Sequence, residues 1–322
     1  MAESSTSTIK EEPMFTPDLV REAIRIRSPI LRNALSEFFG TMLLLFIGDA
    51  IVMQFVLSDQ KLNSWVQINF GWGLAITFTV YCCARTSGGH FNPAVSLTMV
   101  TFGRLSVRDF LIYCVVQTFG AFVGAAGAYG IYYNQFVNYE GPEHRIVGEK
   151  ATAECFCSFP QAHVGNLTCF FDQVAGTGLL VLFVAVIIDK RNRIPEVAHP
   201  WLFGFVLVMI GTCYGMNLGY PINPARDLGP RILAYFIYGS EVFTYHHYYF
   251  WIPIVAPLVG AVTGAWLYHI FVGAHIPDPE EDAPALLAVV GGESHDKPPS
   301  ARDAKAPEGG VGSDKHQGSD HK

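Results

Sequence analysis

The tripeptide Asn-Pro-Ala occurs twice in this chain, at 92–94 and at 223–225, each time after a loop that contains glycine and before a short apolar run. Asn is a favourable N-cap because its side-chain oxygen accepts a free backbone N–H of the first helical turn. Pro fits the first helical position, where an N–H would have no partner. The sequence therefore predicts a short helix at each copy. The residues concerned are Asn92, Pro93, Ala94, Asn223, Pro224 and Ala225.

The composition indicates a membrane protein. Of the 322 residues, 15% are charged and the mean hydropathy is +0.28, whereas an ordinary soluble domain carries about 25% charged residues. No basic stretch is interleaved with aromatic residues, so we expect no nucleic-acid partner. The seven cysteines form no C-x-x-C pair, and we expect no metal and no cofactor.

Six apolar runs are long enough to cross a bilayer, which takes about 20 helical residues. They lie at about 33–57, 66–84, 110–133, 169–188, 201–217 and 249–272. The runs that follow the two Asn-Pro-Ala copies, 94–102 and 226–235, are too short to cross. We therefore predict an all-α membrane protein with six transmembrane helices and two re-entrant half-helices.

The distribution of basic residues predicts the orientation. Arginine and lysine cluster before the first run, between the second and third, and after the fourth, and such clusters favour the cytoplasmic side. We expect cytoplasmic tails at 1–32 and 274–322, the second disordered, an outer loop at 134–167, and residence in the plasma membrane. Asn166 begins an Asn-Leu-Thr glycosylation sequon on that outer loop.

The domain at 33–273 contains an internal repeat with halves at about 33–133 and 168–273. Glu37 begins the first run and Asp172 the fourth, and in each a Gly-Thr pair follows within five residues. Three spans per half is an odd number, so the second half enters from the opposite side, as in an inverted repeat. The half-helices then meet near the midplane with facing N-termini.

Two glycine-containing loops at that depth indicate a pore. Non-helical backbone is tolerated inside a membrane only where it is buried in protein or lines a water-filled cavity. Two positive helix-dipole ends repel cations, and oriented amide donors interrupt a proton-conducting chain of water. The predicted cargo is small and neutral.

The paired motif, over residues 33–273, resembles the aquaporin family and specifically its glycerol-permeable branch, the aquaglyceroporins. The resemblance implies a passive channel for glycerol and water, with urea and other small neutral solutes as further candidates, in a homotetramer within the lipid bilayer. It places a selectivity filter at Trp72, Gly211, Tyr220 and Arg226, where the glycine widens the filter. Asp227 is a mark of the same branch.

Four further side chains have predicted roles. We expect Glu37 and Asp172 to accept hydrogen bonds from loop amides and so to hold the half-helices in place. His90 is predicted to bond backbone carbonyl groups, with pore lining and pH sensing as alternatives. Asp49 is an unusual acid within the first run and is therefore a candidate functional residue, but we favour a non-functional role towards the outer end of the span.

Three other functions compete with this interpretation. A water-selective channel would share the fold but needs a narrower filter. A secondary transporter also uses inverted repeats and broken helices, but it needs a coupling-ion site. A junction protein of the same family would conduct little.

Overall fold

The computed structural model describes residues 15–141 and 144–277. The sequence expectations for most of the two tails, 1–14 and 278–322, lie outside the described residues. The described α-helices are α1 Thr16–Ile24, α2 Pro29–Leu57, α3 Trp65–Ser87, α4 Pro93–Thr101, α5 Val107–Glu140, α6 Asn166–Ile188, α7 His199–Leu218, α8 Pro224–Tyr238, α9 Glu241–Tyr248 and α10 Ile252–Phe271.

The six predicted spans correspond to α2, α3, α5, α6, α7 and α10, and six helical segments are long and apolar enough to cross a membrane. The predicted half-helices are α4, with nine residues, and α8, with fifteen. The prediction of an all-α fold with two short intervening helices is confirmed for the described residues.

The predicted outer loop, 134–167, is shorter in the structure, and part of it is buried. Helix α5 continues to Glu140 and α6 begins at Asn166, so the loop covers 141–165 and not 134–167. The extension of α5 has polar residues that hide its helical character, yet it buries Phe136. Cys155, Phe156 and Cys157 in this loop are also fully buried, because the loop folds back onto the helix bundle.

The packing of the helices shows the inverted repeat. Within each half the first span contacts the third: α2 lies against α5, and α6 lies against α10. Each half-helix packs between the third spans of both halves and more closely on that of the other half, α4 on α10 and α8 on α5. This exchange interlocks the two halves.

Both half-helices begin as the sequence predicts. The Asn92 side-chain oxygen accepts the Ala94 N–H at 2.8 Å, and the Asn223 oxygen accepts the Ala225 N–H at 3.0 Å. The preceding helices end at glycines with positive φ; Gly88, after α3, has φ of 95°. This left-handed conformation is one that glycine adopts without a steric penalty.

A buried carboxylate joins the ends of α6 and α10. Asp189 accepts hydrogen bonds from Arg191 Nε at 3.0 Å and Nη2 at 2.8 Å, and from the Tyr268 hydroxyl at 2.9 Å. The hydrogen bonds from Arg191 hold the pKa of Asp189 at about 2, below the unfolded value of about 3.9. Its contribution to stability is therefore complete at neutral pH and is lost as the pH falls through about 2.

Glycines allow the first and third spans of each half to approach closely. A Cβ atom would lie 2.3 Å from the Phe38 carbonyl oxygen at Gly120, and 2.3 Å from the Val174 carbonyl oxygen at Gly260. Glycine spacing of this kind lets helix backbones touch in membranes.

Replacing a glycine at the contact between the first and third spans should destabilise the fold. A Cβ atom at Gly124 would lie 2.2 Å from the Met42 carbonyl oxygen, a backbone atom that cannot move alone. We expect Gly124→Ala to cost about 1–3 kcal/mol, the usual range for overpacking, and to lower the thermal unfolding midpoint in detergent.

Gly130→Ala is the matched control on the same helix, because no heavy atom lies within 4 Å of its Cβ position. Equal midpoints for the two variants would contradict the packing argument.

Candidate functional site

The two Asn-Pro-Ala loops bind each other in the middle of the bundle. The Asn92 amide nitrogen donates to the Ile222 carbonyl oxygen at 3.0 Å, and the Asn223 amide nitrogen donates to the Phe91 carbonyl oxygen at 2.8 Å. Each asparagine is thus both the cap of its own half-helix and the partner of the opposite loop. The N-termini of α4 and α8 are held facing each other.

A cavity of about 640 Å³ passes this junction. At one end, here called the Arg104 end, it is lined by Asn33 and Arg104, and at the other, the Glu154 end, by Glu154 and Gln161. Asn92, Asn223 and the loop residues 88–91 and 219–222 line it between these ends. The remaining wall is largely apolar and includes Leu44, Ile76, Val95, Leu180, Val184 and Leu207.

Three of the four predicted filter residues line the cavity together. The guanidinium carbon of Arg226 lies 5.1 Å from the centroid of the Trp72 ring, and Arg226 Nη1 donates to the Phe156 carbonyl oxygen at 3.0 Å. The Tyr220 hydroxyl donates to Asn69 Oδ1 at 2.6 Å. Trp72, Tyr220 and Arg226 all contribute to the cavity surface.

Gly211 does not contribute to the cavity lining, and the prediction that this glycine widens the filter stays a prediction. A Cβ atom at Gly211 would lie 2.7 Å from Tyr220 Cζ and 2.5 Å from Asn69 Oδ1. The volume that a side chain would occupy is filled by the Tyr220 ring. The glycine therefore acts through Tyr220, by giving that ring a place against α7.

Asp227 does not pair with its neighbour Arg226; it pairs with Arg231. Arg231 Nε donates to Asp227 Oδ1 at 2.8 Å, and both residues are buried. Asp227 Oδ2 also accepts the Ser158 N–H at 2.8 Å and its hydroxyl at 2.5 Å. This pair fixes the outer loop two residues after Phe156, whose carbonyl group holds Arg226.

Glu37 is fully buried and accepts four hydrogen bonds. Its Oε1 accepts the His90 N–H at 3.0 Å and the Ser87 hydroxyl at 2.6 Å. Its Oε2 accepts the Phe91 N–H at 2.7 Å and the Gln117 amide at 2.8 Å. The first loop is therefore attached to α2 by its backbone amides.

In the second half this role belongs to Gln173. The prediction that Asp172 accepts the loop amides is wrong. Gln173 Oε1 accepts the Ile222 N–H at 2.8 Å. Asp172 instead accepts from Asn217 Nδ2 at 2.8 Å and from Gln173 Nε2 at 3.2 Å. A shift of one residue turns a helical side chain by 100°, which directs Asp172 towards the end of α7.

His90 lines the cavity, and its Nδ1 lies 3.1 Å from Ser96 Oγ. The partner of the His90 ring is therefore a hydroxyl group on α4, and not the backbone carbonyl group that we predicted.

Asn166 is the first residue of α6, and its side-chain nitrogen donates to the His246 carbonyl oxygen at 3.2 Å. A glycan on Asn166 would have to replace this hydrogen bond, and its occupancy stays a prediction.

Residues 25–268 match the family model described as "Major intrinsic protein". This chain belongs to the major intrinsic protein family. It is therefore an integral, multi-pass membrane protein. It is 38% identical to aquaporin-9 of Homo sapiens over 262 residues, 81% of this chain and 89% of the relative. It is 39% identical to aquaglyceroporin-3 of Trypanosoma brucei brucei over 241 residues, 75% of this chain and 79% of the relative.

A solved family structure agrees with the fold. The chain is similar to the aquaglyceroporin from Plasmodium falciparum with a TM-score of 0.69 and 30% identity. The match covers 77% of this chain and 98% of that one. The prediction of the aquaporin fold is confirmed.

Sequence reasoning missed three residues at the site of this family member: Trp65, Asn69 and Gln173. The role of Gln173 could have been predicted from the sequence, because Glu37 and Gln173 each stand three positions before the glycine of a Gly-Thr pair. Trp65 and Asn69 lie on the first two turns of α3 with no local signal. Only their contacts with α7 and Tyr220 reveal them.

Removing the carboxylate of Asp227 should destabilise the protein strongly. Asp227→Ala leaves the guanidinium of Arg231 buried without its charged partner and releases Ser158. Breaking such a buried pair costs about 3–5 kcal/mol, so we expect a clear drop in the thermal unfolding midpoint. Asp59→Ala is the control, since Asp59 pairs with Lys61 on the surface; a similar drop there would contradict this account.

Asp49 should tolerate loss of its charge. Neither carboxylate oxygen has a hydrogen-bond partner among the described residues, and the side chain is buried outside the cavity wall. A charge at such a place costs several kcal/mol, so Asn, which is neutral and of similar shape, should fit. We expect Asp49→Asn to keep the solute permeability and its pH response, measured in proteoliposomes. A changed pH profile would assign Asp49 a functional role.

Proposed function

We propose that this chain is a passive transmembrane channel that conducts glycerol and water down their gradients. The observation that carries the proposal is that Trp72, Tyr220 and Arg226 all line the cavity, with the Arg226 guanidinium carbon 5.1 Å from the centroid of the Trp72 ring. Two large rings form an apolar corner, and a guanidinium group faces the same space.

This arrangement fits the chemistry of a linear polyol. Such a molecule presents C–H groups on one side and hydroxyl groups on the other. The rings of Trp72 and Tyr220 can contact the carbon chain, while Arg226, with five N–H donors, can bind the hydroxyl oxygens. One of these donors is already used by the Phe156 carbonyl oxygen, which fixes the direction of the others.

Exclusion of ions follows from the fixed positive ends around the cavity. The N-termini of α4 and α8 meet at Asn92 and Asn223, and each carries about half a positive charge. Arg226 adds a full positive charge towards the Glu154 end. Cations are repelled, and the asparagine amides orient passing water so that a proton-conducting chain is interrupted.

The known relatives support the same substrate class. The Trypanosoma relative and the Plasmodium structure are both described as aquaglyceroporins. Glycerol permeation is therefore the expected activity, with urea and other small neutral solutes as further candidates. The channel needs no cofactor and no covalent chemistry.

A secondary transporter is less consistent with the charges of the described residues. Coupled transport needs ionisable groups at the substrate site. Asp227 and Arg231 satisfy each other away from the cavity lining, and Glu37 is fully used by four donors. These groups hold loops and leave no open coordination position.

We further propose that the Arg104 end is cytoplasmic, as the positive-inside rule indicates. The basic residues Arg27 and Arg32, Arg104 and Arg108, and Lys190 and Arg191 border the ends of spans that open to that side. Both termini are then cytoplasmic, and the loop 141–165 is extracellular in the plasma membrane. A homotetramer with one pore per subunit is the expected assembly for this family.

The proposal is tested by stopped-flow measurement of glycerol and water permeability in proteoliposomes. We expect the wild-type chain to conduct both. The variant Gly211→His with Tyr220→Ala replaces the apolar ring by a polar imidazole in the volume that the ring leaves. We expect glycerol permeability to fall by about tenfold, the effect of a loss of roughly 1.4 kcal/mol, with water permeability preserved.

Tyr220→Ala alone is the control for the loss of the ring. Wild-type protein that conducts only water would move the function to a water-selective channel. Saturable glycerol transport coupled to an ion gradient would favour a transporter, and permeability equal to that of empty vesicles would favour a junction protein.

A further inference from the structure

Trp65 lies at the first position of α3 and lines the cavity at its Glu154 end. The indole Nε1–H donates to the Gly211 carbonyl oxygen of α7 at 3.1 Å. Tryptophan at a span end commonly points to the lipid interface. Here the polar atom of the ring is instead bound to a backbone group inside the bundle.

The Trp65 ring packs against the filter. Its centroid lies 5.8 Å from that of Tyr220, with an angle of 89° between the ring planes. This edge-to-face arrangement is the favoured geometry for aromatic pairs. The orientation of Tyr220 is thus fixed at two points, by the Trp65 ring and by the hydrogen bond to Asn69.

Two glycines on one face of α7 accommodate these two rings. A Cβ atom at Gly211 would collide with Tyr220, and a Cβ atom at Gly215 would lie 2.0 Å from Trp65 Cζ2. The two glycines are one helical turn apart, so their empty faces are adjacent. The aromatic wall of the filter therefore extends by one turn of α7 towards the Glu154 end.

We propose that Trp65 is a specificity-determining residue of the channel, which extends the apolar wall of Trp72 and Tyr220 and limits the length and width of the polyol that enters. This inference rests on the proposed function. Trp65 contacts the carbon face of an arriving solute before Arg226 binds its hydroxyl groups. On this proposal the Trp65 ring restricts a longer polyol more than a three-carbon one.

The test compares glycerol with the four-carbon polyol erythritol, together with water, by stopped-flow in proteoliposomes. Trp65→Ala removes the ring and opens the Glu154 end of the filter. We expect the ratio of erythritol to glycerol permeability to rise at least about tenfold, at the lower end of what one methylene more or less gives in a pocket of changed size. Trp65→Phe keeps a ring but loses the indole N–H, and its ratio should lie between those of the wild type and Trp65→Ala.

Trp201→Ala is the matched control. Trp201 is exposed to the same degree as Trp65, at 41% against 40%, but it packs on Phe78 and does not line the cavity. Its ratio should stay at the wild-type value. An unchanged ratio in folded Trp65→Ala protein, judged by its thermal midpoint, would overturn the inference, and so would an equal change in Trp201→Ala.

Failure of the proposed function gives a different result. If the wild-type chain conducts water and no glycerol, that function is wrong, while Trp65→Ala should still alter water permeability or admit glycerol if the ring forms the wall. If Trp65→Ala changes neither water permeability nor glycerol entry in that case, the role of Trp65 is overturned.

Discussion

The two hydrogen bonds between the loops, from Asn92 to the Ile222 carbonyl and from Asn223 to the Phe91 carbonyl, are the contacts on which the site depends. Inside a bilayer each unsatisfied backbone group costs several kcal/mol. Loop backbone at this depth is stable only because Glu37 and Gln173 accept its N–H groups and the opposite asparagine binds its carbonyl groups. The positive helix ends and the cavity are consequences of that arrangement.

Helix packing in this molecule depends on glycines, whose lack of a side chain leaves room for a neighbouring backbone or aromatic ring. Gly120 and Gly260 bring the first and third spans of each half into backbone contact. Gly211 and Gly215 give the rings of Tyr220 and Trp65 a place on α7. In a lipid solvent, where burial of apolar surface gives no net gain, such close fitting supplies the packing energy.

The position of Arg226 also depends on two charged residues that do not line the cavity. Asp227 and Arg231 form a buried pair that binds Ser158. This contact places the Phe156 carbonyl group, which in turn directs Arg226. The loop 141–165 therefore contributes to the wall of the cavity, and its residues Cys155, Phe156 and Cys157 are buried.

The sequence determined the six spans and the two half-helices, because apolar length, helix caps and repeat spacing are local or periodic signals. Trp72, Tyr220 and Arg226, which the family resemblance singled out, line the cavity. Only the tertiary structure decided which side chain supports each loop and which ring fills each gap between helices. Gln173 replaces Asp172 because helical phase, and not charge, selects the side chain that faces a loop. Gly211 acts through Tyr220, and Trp65 joins the wall, because both depend on which volumes remain empty when α3 and α7 meet. Such volumes are a property of two packed surfaces, and neither stretch of sequence carries them by itself.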